Sequence, residues 1–104
     1  MTSTLVFSSE FLQHAERVDT WWRQHRAAAP DLFADELDRA LSLIVEHPEL
    51  GRSWPRPGYP ALRRLELRRS RYYVLYEPRP TTNEIYVDTV WSAVRGRGPR
   101  LDWP

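Results

Sequence analysis

Between Leu62 and Trp91 the chain adopts a period of two in three successive segments, and this constrains the fold more than any other feature. Leu65 and Leu67 alternate with Arg64, Glu66 and Arg68, the pattern of a strand with one wet face. Tyr72–Tyr76 is aromatic and branched on both faces, which predicts a central strand. In the third segment Ile85, Val87, Thr89 and Trp91 are expected on one face, with Tyr86, Asp88 and Val90 on the other. Only Arg68 to Arg71 separate the first two strands, a hairpin-length link. Pro78 and Pro80 are expected to end the second strand, and Asn83 suits the following turn.

The first half has a different period. Leu5–Phe7 predicts a short edge strand. Ser8 or Ser9 can cap a helix with Glu10 in its first turn. Phe11, Ala15, Val18 and Trp22 then form one helical stripe, and Trp21 sits at its flank. After a short connection, Pro30 suits the first turn of a second helix. Its stripe is Phe33, Leu37, Ala40, Leu41, Ile44 and Val45, and Pro48 ends it. Residues 48–60 hold four prolines and two glycines and read as a loop pinned by Trp54 and Tyr59. The expectation is one α+β domain over residues 1–104: an N-terminal strand, a helical hairpin, then a three-stranded antiparallel sheet packed against the helices.

Composition narrows the function. The chain has no cysteine, so disulfides and thiolate metal sites are excluded. No apolar run approaches the roughly 18 residues that span a bilayer, and the N-terminus has no signal-peptide pattern, so no membrane role is expected and the cytoplasm is. His14 and His25, even on one helix face, stand about 16 Å apart, too far to share a metal ion. Neither a nucleotide-binding glycine loop nor a local Ser-His-Asp motif is present, and no cofactor is implied.

Net charge is +1, but it is polarised. Residues 1–50 hold four Arg and nine acids, net −5; residues 51–104 hold eleven Arg and five acids, net +6. Every basic residue is Arg, a fork suited to phosphate or carboxylate. An anionic partner on the C-terminal half fits this distribution; a solvated sheet face is the plainer alternative. Arginines such as Arg63, Arg64, Arg95 and Arg97 can neutralise phosphates, and Tyr72, Tyr73, Tyr86 and Trp91 can stack on bases, although each aromatic also suits the core.

Several segments, read in order, carry a family resemblance. They are Trp21-Trp22-Arg23, Ala29-Pro30-Asp31-Leu32-Phe33, His47-Pro48-Glu49-Leu50-Gly51-Arg52, Leu62-Arg63-Arg64-Leu65, Arg71-Tyr72-Tyr73-Val74-Leu75-Tyr76, and Val90-Trp91 through Arg95-Gly96-Arg97-Gly98-Pro99. The chain resembles the RelE/ParE toxins of bacterial toxin–antitoxin pairs over most of its length. The resemblance implies a small cytoplasmic α+β toxin held inactive in a hetero-oligomer with a cognate antitoxin. Trp21, Trp22 and Tyr73 are the expected antitoxin contacts.

The family has two main branches. RelE-like members resemble ribosome-dependent mRNA endonucleases, with basic residues and a tyrosine around the substrate phosphate. The matching positions here are Arg64, Glu66, Tyr73, Ala93 and Pro99, of which only Arg64 keeps its charge. ParE-like members resemble inhibitors of DNA gyrase and need no chemistry of their own. The departures at Glu66 and Tyr73 favour this second branch, with Arg63, Arg64, Trp91, Arg95 and Arg97 as the target-binding surface and no catalytic residue assigned. The alternatives are the nuclease acting on mRNA at the ribosome, and a non-toxic nucleic-acid-binding module.

Overall fold

The structure is a computed structural model and describes residues 2–94. Arg95, Arg97 and Arg100 lie outside the described residues. Two helices and five strands follow in the order β1 (Thr4–Phe7), α1 (Ser9–His25), α2 (Leu32–Glu46), β2 (Arg52–Ser53), β3 (Arg63–Leu67), β4 (Tyr72–Arg79) and β5 (Glu84–Ser92). The sheet runs β1-β5-β4-β3-β2. β2 to β5 pair antiparallel, while β1 joins β5 in parallel, so β1 and β2 are the edges.

The expected three antiparallel strands form its centre, with β4 in the middle. The sheet is wider than predicted for two reasons. β1 docks on β5 across the whole chain, a pairing that no local pattern announces. β2 is two exposed polar residues inside the proline-rich loop, too short to show a period.

Helix α1 begins where its capping chemistry predicts. Ser8 Oγ accepts from the Phe11 amide at 2.9 Å and donates to the Asp88 carbonyl at 2.7 Å, so one hydroxyl caps the helix and ties it to β5. Helix α2 starts at Leu32 with Asp31 as cap, so Pro30 precedes the helix rather than opening it. Phe11 and Trp22 of α1, and Phe33, Ala40 and Ile44 of α2, are buried against Leu67, Val74, Tyr76, Ile85, Val87 and Val90. No helix is long and apolar enough to cross a membrane among the described residues.

Two features of the sheet depart from the local reading. β4 continues through Pro78, which faces Ile85, and ends at Arg79. The β3 ladder stops at Tyr76, so beyond it β4 has a partner on one side only, where a missing amide is tolerated. The second departure is a bulge. Leu75 faces Thr89 but Tyr76 faces Val87, leaving Asp88 as an extra residue. The insertion shifts the alternation, so Ile85, Val87 and Val90 all reach the core, and the expected face of Ile85, Val87, Thr89 and Trp91 is split.

Tyr76 fastens the helices to the sheet. Its fully buried hydroxyl donates to the Pro48 carbonyl at 2.9 Å and accepts from the Gly51 amide at 2.7 Å. A Cβ at Gly51 would meet the Tyr76 oxygen at 2.6 Å and the Arg64 carbonyl at 2.9 Å, so glycine is required by close approach. Burial, the largest influence, raises the Tyr76 pKa, so the phenol stays a donor. At the opposite end of β3, Glu36 of α2 accepts from the Arg69 and Ser70 amides at 2.8 and 2.9 Å and from the Ser70 hydroxyl at 2.7 Å. That carboxylate holds the hairpin in which Arg71 adopts a φ of 68°.

Two outcomes follow from these contacts. Tyr76→Phe orphans the Pro48 carbonyl and the Gly51 amide, and should lower unfolding free energy by about 1–3 kcal/mol in urea titration. Burial, and then the Glu77 carboxyl beside it, push the Asp88 carboxyl up to about 9, while Arg79 pulls it down. An unfolded Asp titrates near about 3.9, so between these values the folded state binds the extra proton and stability falls as pH rises. From pH 5 to pH 8 that amounts to about 4 kcal/mol, so the thermal midpoint should fall by roughly 15 °C or more, and Asp88→Asn should remove most of that slope.

Candidate functional site

Register decides which arginines stand together. The rows Leu65–Val74–Val90 and Arg63–Tyr76–Val87 belong to the helix-covered face. The row between them, Arg52–Arg64–Leu75–Thr89, and the row beyond, Glu66–Tyr73–Trp91, therefore lie on the other face, where Leu75 and Thr89 are buried, Thr89 against His14 of α1, while Arg52, Arg64, Glu66 and Tyr73 reach the surface.

On the part of that face left uncovered, the guanidinium of Arg64 sits 4.6 Å from the Tyr73 ring centre and 5.5 Å from that of Trp54. Arg56 covers Trp54 at 3.2 Å. Burial, and then the charge of Arg64, lower the Arg56 pKa from its ordinary value. Arg52 and Arg64 face each other across the β2–β3 ladder, an unfavourable pairing of like charges. Neither forms an ion pair among the described residues. A groove of about 300 Å³ runs between Arg52, Arg64, Arg68, Glu66 and Tyr73. Stacked guanidinium groups without carboxylate partners, beside a solvent-facing groove, can accept a phosphate or carboxylate from another molecule.

Of the residues expected to bind the target, Arg64 stands in this cluster. Arg63 points the other way and donates to the carbonyls of Gly51 at 2.7 Å and Glu49 at 3.3 Å, beside the Tyr76 anchor. Trp91 shares a register row with Tyr73 and borders a second cleft, of about 400 Å³, with Val18 and Trp21 of α1. The sequence reading missed Arg52, Trp54 and Arg56, because β2 has no periodic signature and its pairing with β3 is nonlocal.

The residues expected to meet the antitoxin are also separated. Trp22 is core, and its indole donates to the Ala29 carbonyl at 2.8 Å, closing the turn between the helices. Trp21 is 40% exposed, stacks on His25 with ring centres 4.6 Å apart, and lies 5.1 Å from the Arg26 guanidinium. Tyr73 lies beneath Arg64 on the uncovered sheet face. The histidines are dispersed: His14 is hydrogen-bonded to the buried Thr89 hydroxyl at 2.7 Å, His25 to the Trp21 carbonyl at 2.8 Å, and His47 follows α2. No group of three or more His, Cys, Asp or Glu is placed to hold a metal among the described residues.

Comparison with known proteins agrees with this architecture. Solved structures similar to the chain include the intact Escherichia coli RelBE toxin–antitoxin complex, with 22% identity and a TM-score of 0.60 over 89% of this chain and 99% of the other. A Mycobacterium tuberculosis RelBE toxin–antitoxin complex has 14% identity and a TM-score of 0.65 over 88% and 99%. A mutant of E. coli RelE bound to a peptide of the antitoxin RelB has 22% identity and a TM-score of 0.61 over 91% and 87%. At these identities the likeness establishes the fold. No curated protein sequence matches the chain significantly. The family model described as ParE toxin of the type II toxin–antitoxin system, parDE, matches residues 5–95. With nearly all of its length matched, the chain belongs to the ParE toxin family of type II toxin–antitoxin systems.

Proposed function

We propose that this toxin arrests growth by inhibiting DNA gyrase in the bacterial cytoplasm, and that a cognate antitoxin neutralises it by binding directly. The observation that carries the target is Glu66, which shares a row with Tyr73 and stands two residues along β3 from Arg64. A nuclease needs a cation where negative charge grows on the transferred phosphorus, together with a group that moves protons. This face puts a carboxylate there, and its cations are arginines, which do not exchange protons near neutral pH. A binding inhibitor needs neither. The ParE family match supports the same choice.

The free arginines of the uncovered face, with Arg95 and Arg97 following β5 in sequence, are the proposed contact with gyrase or its DNA. The antitoxin is proposed to cover the helical hairpin at Trp21 and to bring acidic residues to the arginine face around Tyr73.

Induced expression in a bacterial host should stop thymidine incorporation before methionine incorporation, and purified toxin should inhibit supercoiling by gyrase. Early loss of methionine incorporation with cut mRNA would instead identify a ribosome-dependent nuclease. Arg64→Ala should weaken target binding about tenfold, the equivalent of about 1.4 kcal/mol. Replacing Arg95 and Arg97 together by Ala should abolish growth arrest while circular dichroism stays unchanged; a folded, still toxic double variant would remove both from the contact.

A further inference from the structure

Beyond the end of the β3 ladder, the bulge builds a second polar site on a different chemistry. A groove of about 610 Å³ opens between the β1–α1 junction, the loop at Tyr59 and the paired strands β4 and β5. Phe7, Tyr59 and Tyr86 contribute ring surface to it. Its charged residues are Glu10 from α1, Glu77 and Arg79 from β4, and Asp88 from β5, three acids and one base. β1 contributes no charge, and the other titratable groups at the groove are the phenols of Tyr59 and Tyr86.

Asp88 is the extra residue of the bulge and is 7% exposed. No N–H or hydroxyl donor reaches its buried Oδ2 among the described residues, and the one group that bonds it is the Glu77 carboxyl, with which the acid shares a proton. Two buried carboxyls that share one proton leave Asp88 without a cation of its own, and a guanidinium can pair with it once that proton is released. Arg79 shows how a guanidinium lies in this groove: it sits 4.5 Å from the Tyr86 ring centre and 3.6 Å from Glu77 Oε1. It pairs with Glu77 and forms no ion pair with Asp88.

We propose that this groove is a socket for an arginine side chain of the antitoxin, whose guanidinium pairs with the Asp88 carboxyl and stacks on a neighbouring phenol ring. The proposal rests on the reading that an antitoxin polypeptide covers this toxin. A polypeptide is favoured over a free cation because the groove begins at β1, an edge strand. An extended chain laid along that edge delivers alternate side chains to one face. The planar guanidinium suits both a carboxylate and the face of a ring. In the free toxin Asp88 keeps its proton, pushed up to about 9 by burial and by the Glu77 carboxyl. On binding, the guanidinium weakens the carboxyl's hold on its proton, so that above the lowered midpoint the O–H bond breaks, the proton passes to solvent, and the guanidinium remains protonated opposite the new carboxylate.

The full chain, labelled with carbon-13, tests this with n-propylguanidinium chloride as the probe and sodium chloride as the ionic control. The probe should shift the Asp88 carboxyl signal saturably and weaken its proton affinity about tenfold, a fall of one pH unit in its titration midpoint. Sodium should not. The response of the Tyr86 ring should disappear in Asp88→Asn, which resembles the protonated acid and should keep the fold, and should weaken in Glu77→Gln. Absence of a saturable shift at Asp88, or an equal ring response in Asp88→Asn, overturns the socket. Repeating the titration on the purified toxin–antitoxin complex tests the occupant. The Asp88 midpoint should fall there too, and an unchanged midpoint overturns the antitoxin assignment while leaving the toxin reading untouched.

Discussion

The hydroxyl of Tyr76 is the interaction on which the rest of the structure depends. It stands on the central strand, fully buried, and reaches the chain where it leaves α2. By bonding both the Pro48 carbonyl and the Gly51 amide it brings β2 alongside β3. Arg63 reinforces the same turn from the next strand. These contacts bring Arg52 opposite Arg64, and so they set the charge density of the uncovered face. A structural hydrogen bond on the helix side thus positions the groups proposed for function on the other side.

The bulge at Asp88 is the second organising irregularity. It turns Val90 into the core and places a carboxyl beside Glu77 instead of continuing the ladder. A buried acid that keeps its proton makes the folded state less stable as pH rises, and an apolar residue would avoid that cost. Bulges that re-aim a side chain recur beside binding sites, and the groove next to Asp88 fits that pattern. The sheet thereby presents an arginine face and an acidic groove, two surfaces of opposite charge.

Paired aromatic residues show how the same residue type divides between roles. Trp21 and Trp22 are adjacent, so a helix points them about 100° apart. Trp22 closes the core and the interhelical turn, while Trp21 remains half-exposed under a cation. Tyr72 and Tyr73 divide by strand alternation: Tyr72 packs on Phe33 and Tyr73 supports Arg64.

Local order in the sequence determined the positions of the helices and of β3, β4 and β5. It also determined the stripes of α1 and α2, the Ser8 cap, the turn at Asn83 with its φ of 56°, and the basic character of the second half. Each of these follows from residues within a few positions of one another. Tertiary structure alone decided the parallel docking of β1, the pairing that sets Arg52 against Arg64, the separation of Arg63 from its neighbour, and the Asp88 bulge. These depend on register between distant segments, and a one-residue shift in register exchanges the faces of a strand without changing its periodicity.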